Sequence, residues 1–222
     1  MTQPVISADD FEAMRHAMVA SQLRTTGVDD PRVVAAMARV PRERFVPDAM
    51  RLVSYRDTAL PIGEGRMLNA PMATGRLLTA AWIAPGDRVL LIGAATGYTA
   101  AVLAELAREV VGVEQDKALT AIGRDALAGA ANVITIEGSL AEGAPDAAPF
   151  DVILIDGAVE QVPDALAAQL RPGGRIVSGL ADRGVTRLAA GTATAHGASL
   201  TPFADAEVAL LPGFARAKSF TF

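Results

Sequence analysis

Two stretches of this 222-residue chain set reactive or ligand-holding residue types at useful spacings. In the first, Gly93-Ala94-Ala95-Thr96-Gly97-Tyr98 closes the apolar run RVLLIG, which reads as a strand buried on both faces. Gly93 permits a tight turn, and small Ala94 and Ala95 let a ligand approach the backbone. A helix beginning near Tyr98 offers free N–H groups to an anion. Glu114 stands 21 residues after Gly93, at the end of a second strand, where a carboxylate accepts two hydrogen bonds from a ribose diol. Together these predict a nucleoside-containing ligand at the carboxyl edge of a parallel sheet. The dinucleotide fingerprint is G-x-G-x-x-G/A. Here the pattern is G-x-A-x-G, with the last glycine one residue early, a spacing that suits S-adenosylmethionine because no pyrophosphate must be cradled. The competing reading is an ordinary α/β glycine turn with Glu114 facing solvent.

The second stretch, ALPIGEGRMLNAPMATGRLLTAAWIAPGD over 59–87, holds Pro61, Gly63, Gly65 and Pro71. It predicts an irregular loop and then a helix over about 70–83. A loop this long inside a compact domain is usually functional. Arg66 within it is always charged and can grip a carboxylate with two parallel hydrogen bonds, or point to solvent. Tyr55, Arg56 and Asp57 lead into the loop. Asp156 ends a fourth strand, FDVILIDG, and has two readings. The segment I-L-I-D-G resembles the end of that strand in small-molecule O-methyltransferases, which implies a divalent-cation ligand with Asp182 as a second oxygen donor; the other reading is a strand-end residue capping the next turn. Trp82 reads as core, and His16 as a surface or packing residue.

These residues need a scaffold, and the rest of the chain supplies one. Residues 1–58 read as an N-terminal helical cap. Ser7 is a candidate N-cap, with Phe11, Met14, Met18 and Leu23 at helical spacing, and Gly27 as the stop. Asp30-Pro31 opens a second helix whose apolar face is Val33, Val34, Met37 and Val40. Residues 59–87 form the loop and helix just described. Residues 88–222 form the ligand-binding core. Its strands are RVLLIG, VVGVEQD, NVITIEG, FDVILIDG and GGRIVSG, with helices after the first strand, over 117–127 and over 162–170. That alternation predicts one α/β domain, a mostly parallel, doubly wound, Rossmann-like sheet. Weaker strand signals lie at 186–193, 206–211 and 214–222.

Composition narrows the function classes. The chain has no Cys and only two His, His16 and His196, which excludes a thiolate zinc site, a disulfide framework and a cysteine nucleophile. With 20 basic and 25 acidic residues it lacks the basic field that binds nucleic acid. Apolar residues make up 51%, yet the uncharged run at 89–104 is too short to span a bilayer and is broken by Gly93 and Gly97. No signal peptide is legible at the start, where Asp9, Asp10 and Glu12 stand. The expectation is a soluble, cytoplasmic protein with no metal, no nucleic-acid partner and no membrane partner.

The segments MVASQLRTTGVDDPRVVAAMARVPRERFVP, YRDTALPIGEG, VLLIGAATGYTAAVLAEL, VVGVEQD and FDVILIDGAVEQVPDALAAQLRPGGRIV resemble the protein-L-isoaspartate O-methyltransferases over most of the chain. The resemblance implies a class I methyltransferase fold, S-adenosylmethionine as cofactor, and a protein or peptide substrate with isoaspartyl residues. A substrate carboxylate would attack the cofactor's methyl carbon in line, leaving a neutral thioether. The nucleophile is already ionised at neutral pH, so positioning and dryness are what the protein supplies. By the resemblance, Gly93, Ala95, Gly97, Glu114 and Ser139 are candidate cofactor contacts. Asn69, with Arg66 and Asp156, is a candidate at the reacting centre. Several of these positions depart from the family pattern. Leu91 and Ala95 stand where the first motif, V-L-E-I-G-T-G-S-G-Y, has an acid and a glycine. Ser139 follows strand three in place of the Asp of G-D-G. Asn69 takes the place of the serine in G-Q-T-I-S-x-P, and Ile155-Asp156-Gly157-Ala158-Val159 replaces V-T-A-A-A. The alternatives are a small-molecule O-methyltransferase of the same fold, or a non-catalytic protein that kept the fold and lost efficient cofactor binding.

Overall fold

The structure, a computed structural model, describes residues 7–194 and 197–216. Helix α1 (Ala8–Met18) starts on Ser7, whose hydroxyl accepts from the Asp10 N–H while the Asp10 carboxylate accepts from the Ser7 N–H. That reciprocal capping holds the Asp10 pKa below the ordinary carboxyl value. One π-helical turn, Val19–Leu23, extends the helix before Gly27 turns the chain at φ 84°. Helix α2 (Pro31–Arg39) has the expected cap, with the Arg32 N–H on Asp30 Oδ1 at 2.8 Å and Pro31 in the first turn.

The 59–87 stretch is more regular than its composition suggests. β1 (Leu60–Gly63) and β2 (Arg66–Leu68) form an antiparallel hairpin apart from the main sheet, and α3 (Pro71–Ala80) follows. Asp57 Oδ1 accepts from the Met72 N–H at 3.0 Å and so ties the start of α3. The helix ends at Ala80, short of 83. Trp82 then sits at φ 49° and is 76% exposed, contrary to its reading as core, while Ile83 turns inward.

The remaining elements are β3 (Arg88–Ile92), α4 (Tyr98–Ala104), β4 (Glu109–Glu114), α5 (Lys117–Ala126) and β5 (Val133–Glu137). After them come β6 (Phe150–Val159), α6 (Asp164–Ala167), β7 (Leu170–Asp182), β8 (Val185–Thr194) and β9 (Gly197–Asp205). The seven-stranded sheet runs β5-β4-β3-β6-β7-β8-β9, with β5 through β7 parallel and the last two pairings antiparallel. This is the expected mostly parallel, Rossmann-like sheet. Every residue of β6 is buried, as befits a central strand covered on both faces.

Three expectations at the C-terminal end need correction. The helix expected over 162–170 is only four residues long, because Leu170 is drawn into parallel pairing with Phe150. The sequence signal at 206–211 belongs to a strap rather than a strand, and the edge strand is β9 instead. The strap crosses the end of β6. The Ala158 N–H donates to Ala209 O at 2.7 Å, and the Leu211 N–H donates to Ala158 O at 2.9 Å. Of the strand expected over 214–222, Phe214 is buried in the strap's loop, and 217–222 lie outside the described residues.

The chain runs from β3 outward to β4 and β5, then returns to β6 on the other side of β3. Strand order therefore reverses at β3/β6, and the crevice beyond the carboxyl ends of these strands is where such sheets bind ligands.

Candidate active site

Glu114, the last residue of β4, is fully buried. It points inward rather than to solvent. Its Oε2 accepts from the Ala95 N–H at 2.8 Å. Its Oε1 accepts from the N–H groups of Gln115 at 2.9 Å and Asp116 at 3.1 Å, and from Arg66 Nη1 at 2.6 Å. The turn that frames it contains three positive φ angles, Gly93 at 80°, Ala95 at 50° and Gly97 at 96°. Ala95 is the strained member, since a Cβ in the left-handed region is unfavourable. Ser139 is exposed two residues beyond β5, on the same edge, where the Gly138 N–H donates to Glu114 O at 3.0 Å.

Arg66 comes in from the hairpin. Only 8% of it is exposed, and among the described residues its one ion pair is with Glu114. It thus grips a carboxylate, but one of the chain's own. A Cβ placed on Gly93 would meet Arg66 Nη2 and both methyl carbons of Leu211 at 3.2 Å. These two side chains fill the ground over the turn.

Beside this pair lies a second buried network. Asn69 Nδ2 donates to Asp156 Oδ1 at 2.9 Å, and the Thr99 hydroxyl donates to Asp156 Oδ2 at 2.5 Å. Asn69 Oδ1 accepts from the Ala209 N–H at 3.0 Å, so one side chain joins the hairpin exit, β6 and the strap. Arg42 is fully buried. It donates through Nη2 to Asn69 O at 2.5 Å and through Nε to Ser54 O at 2.7 Å, and its guanidinium lies 4.7 Å from the Tyr98 ring centre. Burial lowers the Arg42 pKa, opposed by Tyr98 and Asp156. Burial raises the Asp156 pKa, opposed by the Thr99 and Asn69 hydrogen bonds and by the charges of Arg42 and Arg66. Burial likewise raises the Tyr98 pKa.

The structure therefore brings Gly93, Ala95, Gly97, Glu114, Arg66, Asn69 and Asp156 to one edge. Asp156 is neither of the two things its sequence position suggested. Both its oxygens accept side-chain hydrogen bonds, whereas Asp182 is exposed after β7. Arg42, Thr99 and Leu211 have no role in the sequence reading. Arg42 lies in the segment MVASQLRTTGVDDPRVVAAMARVPRERFVP, whose resemblance to the family was the one available signal for it. Tyr55, beside the loop, donates its hydroxyl to Glu43 and accepts from Arg15, and burial raises its pKa.

A sequence model of the protein-L-isoaspartate(D-aspartate) O-methyltransferases matches residues 14–195. The chain belongs to this family. A protein-L-isoaspartate O-methyltransferase of Rhodopseudomonas palustris is 43% identical over 190 residues, covering 83% of this chain and 78% of its own. One from Koribacter versatilis is 44% identical over 169 residues, covering 75% of this chain and 76% of its own. Among solved structures, a protein-L-isoaspartate O-methyltransferase superposes with a TM-score of 0.80 at 24% identity, over 90% of this chain and 66% of that one. A beta-aspartate methyltransferase from Plasmodium falciparum, in complex with S-adenosyl-L-homocysteine, gives 0.73 at 20% identity over 88% of this chain and 96% of that one. The last two matches bear on the fold, which is that of the class I methyltransferases.

The family's cofactor is S-adenosylmethionine, and the residues of this edge fit it. A turn of small residues closes β3, and a carboxylate, the kind of group that accepts from sugar hydroxyls, ends the neighbouring strand. Arg66 and Leu211, the two groups over Gly93, meet it with the free ends of their side chains. No helix among the described residues is long and apolar enough to cross a membrane.

Proposed function

We propose that this chain transfers the methyl group of S-adenosylmethionine to the side-chain carboxylate of isoaspartyl residues in proteins or peptides, acting in the cytoplasm. The observation that supports this best is that the hairpin and its exit reach both sides of the carboxyl edge at β3/β6, Arg66 bonding Glu114 and Asn69 bonding Asp156. One segment thus adjoins both the carboxylate proposed to anchor the sugar and the strand end proposed for the acceptor.

Gly93, Ala95 and Gly97 would receive the cofactor along the turn, Glu114 would hold its ribose hydroxyls, and Ser139 would lie on the side of β5. When bound, S-adenosylmethionine supplies an electrophilic methyl carbon. The chain's own residues orient and exclude water. Arg42 fixes the Asn69 carbonyl and the Ser54 carbonyl, so that the hairpin exit keeps one position. Asn69 presents an amide where the family pattern has a hydroxyl, and Asp156 and the Ala209 N–H hold that amide in register. An ionised acceptor carboxylate needs no general base, so the absence of His and Cys from this cluster is no obstacle. The charges of Arg42 and Arg66 offset that of Asp156, which keeps the acceptor's side of the edge from being strongly negative.

Incubation with methyl-labelled cofactor and paired isoaspartyl and aspartyl peptides tests this. Base-labile label on the isoaspartyl peptide alone is expected. Equal labelling of both peptides, or of neither, refutes it.

A further inference from the structure

Glu114 is closed to a ligand. Its Oε1 already takes three donors, the N–H groups of Gln115 and Asp116 and Arg66 Nη1, and its Oε2 takes one, the Ala95 N–H. Oε2 keeps a lone pair to spare, since each carboxylate oxygen has about two, but the side chain is 0% exposed. A ribose diol can reach this carboxylate only if one of the groups packed on it leaves. Three of the four cannot, because they belong to the backbone of the turn after β3 and of the segment joining β4 to α5. Arg66 alone arrives on a side chain from a separate element.

We propose that Arg66 is a latch on the cofactor site: its guanidinium occupies the sugar-anchoring carboxylate and the space over Gly93, and an S-adenosyl ligand binds by displacing it. The inference rests on the reading of this edge as the cofactor's. The hairpin is built to give the arginine up. Gly63, Glu64 and Gly65 at its tip all have positive φ, and a Cβ on either glycine would meet nothing within 4 Å. The tip therefore projects into open space. Leu60, Ile62 and Leu68 remain buried beneath it, so the strands can stay seated while the long side chain swings out. Leu211, on the strap, is the second group to be moved. Its Cγ lies 2.4 Å from where a Cβ on Gly157 would be, so only glycine there lets the leucine lie across the edge.

A latch and a ligand contact differ in sign. If Arg66 competes with the ligand, removing its charge strengthens binding. If Arg66 holds the ligand, removing it weakens binding. Calorimetric titration of the full chain with S-adenosylhomocysteine decides between them. Arg66→Met is expected to bind about tenfold more tightly than the parent, the scale of one hydrogen bond to a charged group. Arg66→Gln, which keeps a polar side chain in case the methionine variant folds poorly, is expected to shift the same way. Glu114→Gln should weaken binding, and in the Glu114→Gln background Arg66→Met should give no gain, since the competition passes through that carboxylate. A second readout needs no turnover. Without ligand Arg66→Met should melt below the parent, because Glu114 loses its counterion, and saturating ligand should narrow the gap. Unchanged or weakened binding in both Arg66 variants, with the parent binding normally, overturns the latch alone. Absence of binding in the parent and in every variant overturns it together with the proposed function.

Discussion

Asn69 is the side chain on which three parts of the candidate site depend, and its removal has a magnitude that the geometry sets. Asn69→Ala deletes the 2.9 Å bond from Nδ2 to Asp156 Oδ1 and the 3.0 Å bond accepted from the Ala209 N–H. The first is a hydrogen bond to a buried, ionisable carboxyl, of about 1.5–3 kcal/mol; the second is neutral, about 0.5–1.5 kcal/mol. Asp156 keeps Thr99 as donor, and Arg42 keeps the Asn69 carbonyl, which alanine retains. The expected loss is therefore about 2–4.5 kcal/mol, at roughly 2–4 °C of melting temperature per kcal/mol for a chain of this size. Urea unfolding at neutral pH measures it, with the midpoint lowered and the slope unchanged. Asn69→Ser should recover part of the loss, because one short hydroxyl cannot serve both partners. Asn69→Asp should cost more than alanine, since it sets a second carboxylate against Asp156. A loss within about 0.5 kcal/mol of zero for Asn69→Ala, the scatter of ordinary surface changes, refutes the view that this amide ties the hairpin exit to β6 and the strap.

Four further outcomes are expected. Ala95→Gly should stabilise the fold by about 0.5–1 kcal/mol, because φ 50° is strained for alanine and free for glycine; unfolding midpoints check this. Asp156 has a raised native pKa, so its contribution to stability is fully present below the ordinary carboxyl value of 3.8 and is lost as pH rises through the native value. Asp156→Asn removes that titration, and its stability relative to the parent should climb as pH rises above the ordinary carboxyl value of 3.8 in a urea series. Trp82, the only tryptophan and 76% exposed, should emit like solvated indole and be quenched freely by acrylamide; Trp82→Gly should cost less than about 0.5 kcal/mol because it also relieves φ 49°. Gly157→Ala should cost about 1–3 kcal/mol, because its Cβ would strike Leu211 Cγ at 2.4 Å and displace the strap, and the loss should shrink when Leu211 is also cut to alanine.

What the sequence determined is local. The buried central strands follow from uninterrupted apolar runs, and the strand–helix alternation admits essentially one layered architecture. Ser7 and Asp30 cap their helices through atoms two or three residues away, so the caps are readable without the fold. Glu114 is placed by its distance from Gly93 along a single strand–helix–strand unit, and its arrival at the crevice follows from that unit. Trp82 and the 162–170 segment went the other way because burial and strand pairing, not composition, chose between two locally acceptable conformations. Tertiary structure alone decided what the site residues touch. Arg66 lies 48 positions from Glu114, Asn69 lies 87 from Asp156, and Ala209 lies 140 from Asn69. No period or motif links such pairs, since each is set by where separate elements dock. The residue types permitted an arginine–carboxylate grip at this edge. Which carboxylate would be gripped depended on a hairpin folding over a strand end, and that is a property of the packed chain.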